Sequence, residues 1–262
     1  MPQRDATLNW QGPATSQTER ALVGLRDLIV SGEIPVGDRV SEIETAARLN
    51  LSRTPLRAAL QRLHEEGLLE ALPARGYAVR GFSLREIGEA IEIRGMLEGL
   101  CVRQLAERGC AAALLAQMED GLDAIDDLLV GRVFTAADLP VYIAANARFH
   151  EQLLVANGSA LIAQEVERAG KHPFAGPSAL VQLGVTEGEV QRHLITAQDQ
   201  HRAVLEAIRN HESARAEAVM REHARMSLRN LRRVLRDGEG AEALKGIRGA
   251  TLIRREEESL RP

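Results

Sequence analysis

The chain has 262 residues, of which 45% are hydrophobic and only 3% aromatic, and its formal net charge is −4. This length suits two domains with real cores, and the scarcity of aromatic residues favours packed helices over a β-sandwich or barrel. The negative net charge excludes a general attraction to nucleic acid, so any DNA binding must come from a local basic patch.

Targeting and redox signals are lacking in the sequence. No basic start followed by an apolar run occurs near the N-terminus, and no stretch is long enough to cross a bilayer. Cys101 and Cys110 form no metal or redox spacing. We therefore expect a cytoplasmic protein with no membrane contact and with idle thiols.

The N-terminal region begins with a polar segment, residues 1–15, that we expect to be a flexible arm. A first helix is predicted over residues 16–31, because apolar residues recur there at helical spacing. Ser41 and Glu44 have the spacing of a capping box, which predicts the start of a second helix. That helix is expected to end near Leu49.

A third helix is predicted to start at Ser52, a good N-cap residue. One of its faces carries apolar residues at helical spacing: Leu56, Ala59, Leu60 and Leu63. Thr54 and Arg57 project from the other face, and Arg53 lies at the exposed tip. Arginine can donate two hydrogen bonds to guanine or clamp a phosphate, so this pattern indicates a DNA-recognition helix.

A short hairpin is predicted after Gly67, with strands over 68–72 and 77–79 flanking the turn Pro73-Ala74-Arg75-Gly76. Three helices followed by a hairpin form a winged helix-turn-helix, here over residues 16–81.

Residues 18–81 resemble the DNA-binding domain of the GntR family of bacterial transcription regulators. The motifs that carry this resemblance are Ser52-Arg53-Thr54-Pro55-Leu56-Arg57, Leu63, Glu66-Gly67-Leu68 and Arg75-Gly76-Tyr77. The later segments resemble the FadR subfamily, which has an all-helical FCD effector domain.

The resemblance implies that the third helix enters the major groove, while the wing tip at Arg75 and Gly76 reaches the adjacent minor groove. It implies that Arg53 and Arg57 are the principal contacts. Ser52 and Thr54 would bind phosphates. The second helix carries Ile43 at a position where some members of the family have a further DNA-contacting arginine. The alternative for the three arginines is that they are ordinary solvated surface residues.

The remainder of the chain is predicted to be a helical bundle. Ser83 and Glu86 repeat the capping-box spacing and start a long helix that ends near Gly109. Further helices are predicted over residues 111–130, 137–156, 159–170, 187–209 and 213–235. We expect an effector-binding and dimerisation domain over residues 82–237 and a polar tail over 238–262.

Four residues of this bundle form a candidate metal site. Asn146 and His150 are four residues apart on one helix and face the same way, while His201 and His223 lie on two later helices. Three imidazoles suit zinc, nickel or another late transition metal, and the amide oxygen of Asn146 can supply a fourth bond. The alternative is three polar core histidines hydrogen-bonded to their neighbours.

The family resemblance implies this metal site as well. FCD domains carry an Asp or Asn, then a Phe-His pair, and two later histidines, which match Asn146, His150, His201 and His223. An amide at position 146 removes one negative charge from the ligands. In related domains, an arginine at the position that corresponds to Arg94 binds an acidic effector. The alternative for Arg94 is an ion pair with Glu98, facing solvent or another helix.

These observations predict a bacterial regulator, a repressor by preference, that binds operator DNA as a homodimer. A small carboxylate effector at a metal-containing site would control it. Two alternatives stay open. One is a metal-dependent enzyme that uses the three histidines, against which no nearby general base is identifiable. The other is a regulator whose C-terminal domain only dimerises.

Overall fold

The structure, a computed structural model, describes residues 16–172, 174–179, 186–236 and 249–254. The chain divides into two compact units, Met1–Arg80 and Gly81–Pro262. The predicted arm over 1–15 lies outside the described residues, as does most of the predicted tail. The described elements are almost entirely helical, so the predicted mostly α fold is confirmed.

The first unit contains three helices, α1 (Gln17–Val30), α2 (Glu42–Arg48) and α3 (Arg53–Glu65). The apolar stripe predicted for α3 is fully buried and packs against α1, whose Ala21, Leu25 and Ile29 are likewise buried. Ser41 accepts a hydrogen bond from the Glu44 N–H and so starts α2. Ser52 occupies the N-cap position of α3, but its side chain makes no capping hydrogen bond.

The wing consists of β1 (Leu69–Ala71) and β2 (Tyr77–Val79), which pair antiparallel with Leu69 opposite Val79. The sequence predicted this hairpin but missed a third segment beside it. Arg39 bridges to Ala78, and the Val40 N–H donates to the Tyr77 carbonyl at 2.9 Å. The connection before α2 therefore extends the wing.

The second unit is a bundle of α4 (Leu84–Arg108), α5 (Ala112–Leu129), α6 (Leu139–Asn157), α7 (Ala160–Gly170), α8 (Glu187–Arg209) and α9 (Ser213–Arg236). Ser83 and Glu86 form the complete capping box predicted for the start of α4. The apolar core lies where α4, α5, α6 and α8 meet. No helix in the described ranges has the length and apolar character to cross a bilayer.

Helices α4 and α9 pack closely because α4 presents glycines at the contact. A Cβ added at Gly95 would lie 2.7 Å from the Cβ of Ala224, and one at Gly99 would lie 2.9 Å from Arg221 Cγ. The Ala224 Cβ is attached directly to the α9 backbone and cannot rotate away. Side chains at position 95 must therefore push the helices apart.

We expect Gly95→Ala to lower the free energy of unfolding by about 1–3 kcal/mol, because overpacking outweighs the gain of about 1 kcal/mol in helix propensity. Urea unfolding measures this change. Gly121→Ala on α5 is the matched control, since its added Cβ would meet only Gln152 Oε1 at 3.8 Å. The control should be as stable as the parent or more so, and equal stability of both variants would contradict this packing.

Part of the predicted polar tail is packed. Leu252, in the short 3₁₀ helix Ala250–Leu252, is buried, and its carbonyl accepts a hydrogen bond from the Phe82 N–H at 2.7 Å. The Arg254 N–H donates in turn to the Phe82 carbonyl at 2.8 Å. Residues 249–254 of the expected tail therefore contain one buried apolar side chain and are hydrogen-bonded through the backbone to Phe82, just before α4.

Candidate DNA-binding surface and metal centre

The predicted DNA-contacting residues of the first unit share one exposed face at the start of α3. Ser52, Arg53, Thr54 and Arg57 are all exposed. The two arginines converge on a residue that the sequence reasoning did not single out, because Arg53 Nη2 and Arg57 Nε both donate to Glu42 Oε2, at 3.0 and 2.9 Å. Ile43, beside Glu42 on α2, is also exposed.

The wing tip has backbone angles that explain its sequence. Arg75 and Gly76 lie in the left-handed region, with φ of 64° and 99°. Arg39 Nη2 donates to the Arg75 carbonyl at 3.1 Å. A Cβ at Gly76 would approach Arg39 Nε to 3.2 Å, so glycine permits both the turn and this contact. Arg39 thereby holds the tip that presents Arg75.

In the second unit, the structure brings the three predicted histidines together. His150 on α6, His201 on α8 and His223 on α9 are buried, and one ring nitrogen of each lies within 4.8 Å of the others. The Nε2 atoms of His201 and His223 are 3.2 Å apart. The Nε2 of His150 is buried and has no hydrogen-bond partner among the residues that the structure describes.

Each imidazole is held from behind through Nδ1. His150 Nδ1 lies 3.0 Å from Glu98 Oε1, and His223 Nδ1 lies 3.3 Å from Gln200 Oε1. His201 Nδ1 lies 3.2 Å from Gln198 Oε1. The Gln198 amide has a definite orientation, because its Nε2 donates to the Leu122 carbonyl and to Asp126, each at 2.8 Å.

These acceptor oxygens require Nδ1 to carry the proton, so that each neutral imidazole has its lone pair on Nε2. Burial, which disfavours the charged form, is the largest cause that lowers the pKa of His201 and His223 well below its usual value. With Nδ1 protonated on both rings, the Nε2 atoms of His201 and His223 carry lone pairs 3.2 Å apart, an arrangement that a shared cation stabilises. The donor set therefore fits a late transition-metal ion, with the tautomers fixed as metal-binding histidines require.

A buried ion pair adjoins the histidines. Arg94 Nη1 donates to Glu98 Oε2 at 2.6 Å, and both side chains are almost completely buried. Burial opposes ionisation of Glu98, but the charge of Arg94 and the hydrogen bond from His150 Nδ1 outweigh it and lower the pKa of Glu98 to about 2. Arg94 does pair with Glu98, as one alternative held, but the pair is at the histidine site and not in solvent.

Asn146 is buried one helical turn before His150. Its Nδ2 donates to Ser178 Oγ at 3.0 Å, which leaves Oδ1 as its atom for binding a metal. Ser178 belongs to the segment between α7 and α8.

Sequence reasoning missed two kinds of site residue. The sequence named no Glu or Asp near the histidines as a general base and treated Glu98 only as the partner of Arg94, whereas the structure places Glu98 Oε1 at 3.0 Å from His150 Nδ1. Gln198 lies three residues before His201, and this spacing places both residues on one helix face. Gln198 could therefore have been identified from the sequence. Gln200 has no such spacing, because it reaches His223 on a different helix.

The chain matches two family profiles. The profile of the bacterial regulatory proteins of the gntR family matches residues 17–79, and that of the FCD domain matches residues 89–226. The chain belongs to the GntR family and carries an FCD domain. It is accordingly a DNA-binding transcription regulator, and its family is one of regulators and not of enzymes.

Relatives agree with this assignment. An uncharacterized HTH-type transcriptional regulator of Agrobacterium vitis is 33% identical over 143 residues, which cover 54% of this GntR protein and 81% of the relative. A probable D-xylose utilization operon transcriptional repressor of Paenarthrobacter nicotinovorans is 29% identical over 205 residues, which cover 76% and 83%.

Solved structures share the fold of this GntR protein. Escherichia coli McbR/YncC aligns with a TM-score of 0.59 at 19% identity, over 84% of this chain and 98% of that one. The Listeria monocytogenes regulator Lar aligns with a TM-score of 0.55 at 14% identity, over 84% and 99%. At these identities the likeness concerns the fold alone.

Proposed function

We propose that this protein is a bacterial repressor whose operator binding is controlled by a small carboxylate effector, bound at a divalent transition-metal centre in the FCD domain. Zinc or nickel is the proposed metal, with His150, His201, His223 and Asn146 as its ligands. The observation that carries the proposal is the set of three buried imidazoles, with one ring nitrogen of each within 4.8 Å of the others, while each Nδ1 is held by an acceptor oxygen.

Operator contacts come from the exposed start of α3 and from the wing. Arg53 and Arg57 are the principal contacts in the major groove, Ser52 and Thr54 bind phosphates, and the tip at Arg75 and Gly76 lies in the minor groove. The Ser52 hydroxyl makes no helix cap, so it is available to a phosphate oxygen. The name of the Paenarthrobacter relative favours repression over activation.

The alternative of three ordinary core histidines is disfavoured by His150. Buried polar atoms are nearly always hydrogen-bonded, but His150 Nε2 has no partner, and its ring is already fixed through Nδ1. These nitrogens would be ligands of a bound divalent ion, which would keep further coordination positions open for a carboxylate.

Arg94 and Glu98 form a buried ion pair beside the metal ligands, and this pair can respond to a carboxylate effector. The buried Arg94 guanidinium is already neutralised by Glu98, and its Nε has no partner. A carboxylate effector gains a charge-assisted hydrogen bond by sharing Arg94, at the expense of the bond to Glu98. Because Glu98 also holds His150, a change at Arg94 reaches a metal ligand directly.

We expect zinc or nickel to raise the melting temperature of the metal-free protein. At a metal concentration of about 100 times Kd the gain is about 2.7 kcal/mol, which corresponds to about 5–10 °C for a domain of this size. His201→Ala should abolish the response, as measured by differential scanning fluorimetry.

The matched control for His201→Ala is His172→Ala, an exposed histidine outside the cluster, which should keep the response to metal. An unchanged melting temperature of the parent protein with every divalent ion, and after chelation, would refute the metal proposal. It would leave the FCD domain as a dimerisation module.

Operator release tests the effector. The protein is loaded with metal and bound to a duplex that it has selected from a random pool, and small carboxylic acids are then titrated while the bound fraction is measured. The proposed function requires at least one acid to shift this fraction and to lose its effect in Arg94→Met.

Sedimentation analysis at the pH and salt concentration of the cytoplasm should show a homodimer, because the recognition helix of one protomer covers only one half-site.

A further inference from the structure

One carboxylate lies among the arginines proposed to contact DNA. Glu42 is the first residue of α2, and a single oxygen of its side chain, Oε2, accepts hydrogen bonds from Arg53 Nη2 at 3.0 Å and Arg57 Nε at 2.9 Å. The arginine side chains are 57% and 61% exposed, whereas that of Glu42 is 30% exposed. The acid therefore lies behind the two guanidinium groups, between them and α2.

This arrangement reduces the positive charge of the surface. The hydrogen bonds from Arg57 and Arg53 hold the pKa of Glu42 below its usual value, so the side chain is ionised at neutral pH. A phosphate that approaches either arginine must compete with a carboxylate that is already bonded, and it meets the negative charge of that carboxylate. Non-specific DNA binding is weakened most, because phosphate contacts supply essentially all of its affinity.

The same contact orients Arg57. Since Nε donates to Glu42, the guanidinium plane is restrained, and this bond uses Nε and not the two terminal Nη groups. Those groups are the fork that reads the O6 and N7 atoms of guanine. A correct base offers Arg57 a bidentate acceptor without breaking its bond to Glu42. A phosphate can also accept this fork, but it brings a full negative charge close to the ionised Glu42, whereas the acceptor atoms of guanine do not.

We infer that Glu42 is a specificity-determining residue, which suppresses binding to arbitrary DNA and orients Arg57 for base recognition in the operator. This inference rests on the proposed DNA contacts of Arg53 and Arg57. It assigns to α2 a role in discriminating the operator from other DNA, although α2 carries Ile43 where some family members have a further DNA-contacting arginine.

The test compares Glu42→Gln with the parent on two duplexes of equal length. One is selected from a random pool by the parent protein, and the other is the random pool itself. Fluorescence anisotropy gives both affinities over a series of KCl concentrations. Glu42→Gln keeps the size of the side chain but removes its charge. Glu44→Gln removes the same charge from α2 at a position about 200° around the helix, and is the matched control.

We expect Glu42→Gln to bind the random duplex about 3- to 10-fold more tightly and to lower the ratio of the two affinities at least about 10-fold. For the random duplex, the slope of log affinity against log salt concentration should become steeper by about 0.9, which is the change expected for one additional phosphate contact. Glu44→Gln should leave the ratio at the parent value.

Two results would overturn the inference. One is an equal ratio for Glu42→Gln and Glu44→Gln, and the other is a loss of affinity for both duplexes in Glu42→Gln. Arg57→Ala separates this inference from the proposed function, because unchanged binding of that variant refutes the arginine contact itself. If the contact holds, the effect of Glu42→Gln should shrink in the Arg57→Ala background, as coupled neighbours require.

Discussion

Glu98→Ala is expected to destabilise the helical domain by about 3–5 kcal/mol, because it leaves the buried Arg94 guanidinium without its counter-charge. Urea unfolding in the presence of a chelator measures this effect without any contribution from metal. Glu92→Ala is the matched control on the same helix. Glu92 also pairs with an arginine, Arg225, but the side chains are 38% and 40% exposed, so its loss should cost about 1 kcal/mol or less.

A double replacement tests whether the unpaired charge causes the loss. Arg94→Met combined with Glu98→Leu removes both charges at similar volume, and we expect it to recover most of the stability. The pH dependence has a definite sign. The pKa of Glu98 is lowered from 4.5 to about 2, so its contribution is complete at neutral pH and is lost as the pH falls through that interval. Equal stabilities of Glu98→Ala and Glu92→Ala would contradict the buried pair.

Arg57→Ala is expected to weaken binding to the selected duplex about 10- to 100-fold, because a bidentate arginine contact to a base contributes about 1–3 kcal/mol. Fluorescence anisotropy at fixed salt concentration measures the change. The loss should be greater for the selected duplex than for random DNA, since a base contact carries sequence information and a phosphate contact does not.

The control for Arg57→Ala removes the same charge from the same helix. Arg62 has a side chain 60% exposed, against 61% for Arg57, and lies about 140° further around α3. Arg62→Ala should reduce affinity only through the general loss of positive charge, equally for both duplexes. If Arg57→Ala and Arg62→Ala behaved alike, α3 would not present Arg57 to the bases.

Much of the fold could be predicted because its determinants are local. The capping box of Ser83 and Glu86 starts α4 where it was predicted, and the apolar spacing in α3 matches the buried face of that helix. The wing was predicted from its turn. The third segment at Arg39 and Val40 was missed, because its pairing depends on a neighbour nearly forty residues away.

The candidate sites were predicted less completely. The three histidines were grouped correctly in space, but Glu98 was read only as a helical partner of Arg94. Helical spacing shows that Arg94 and Glu98 can meet, yet it says nothing about whether their face of α4 is exposed. Burial beside His150 turns an ordinary surface pair into part of the site.

By itself, the sequence determined the helices and the winged helix-turn-helix, because caps, turns and periodicity act between residues close in the chain, and it identified the residues proposed to bind DNA and metal. Only the tertiary structure decided which polar groups meet. It placed Glu42 between Arg53 and Arg57 and joined Glu98 to His150. Such contacts join separate helices, and their energies depend on burial, which local spacing does not specify.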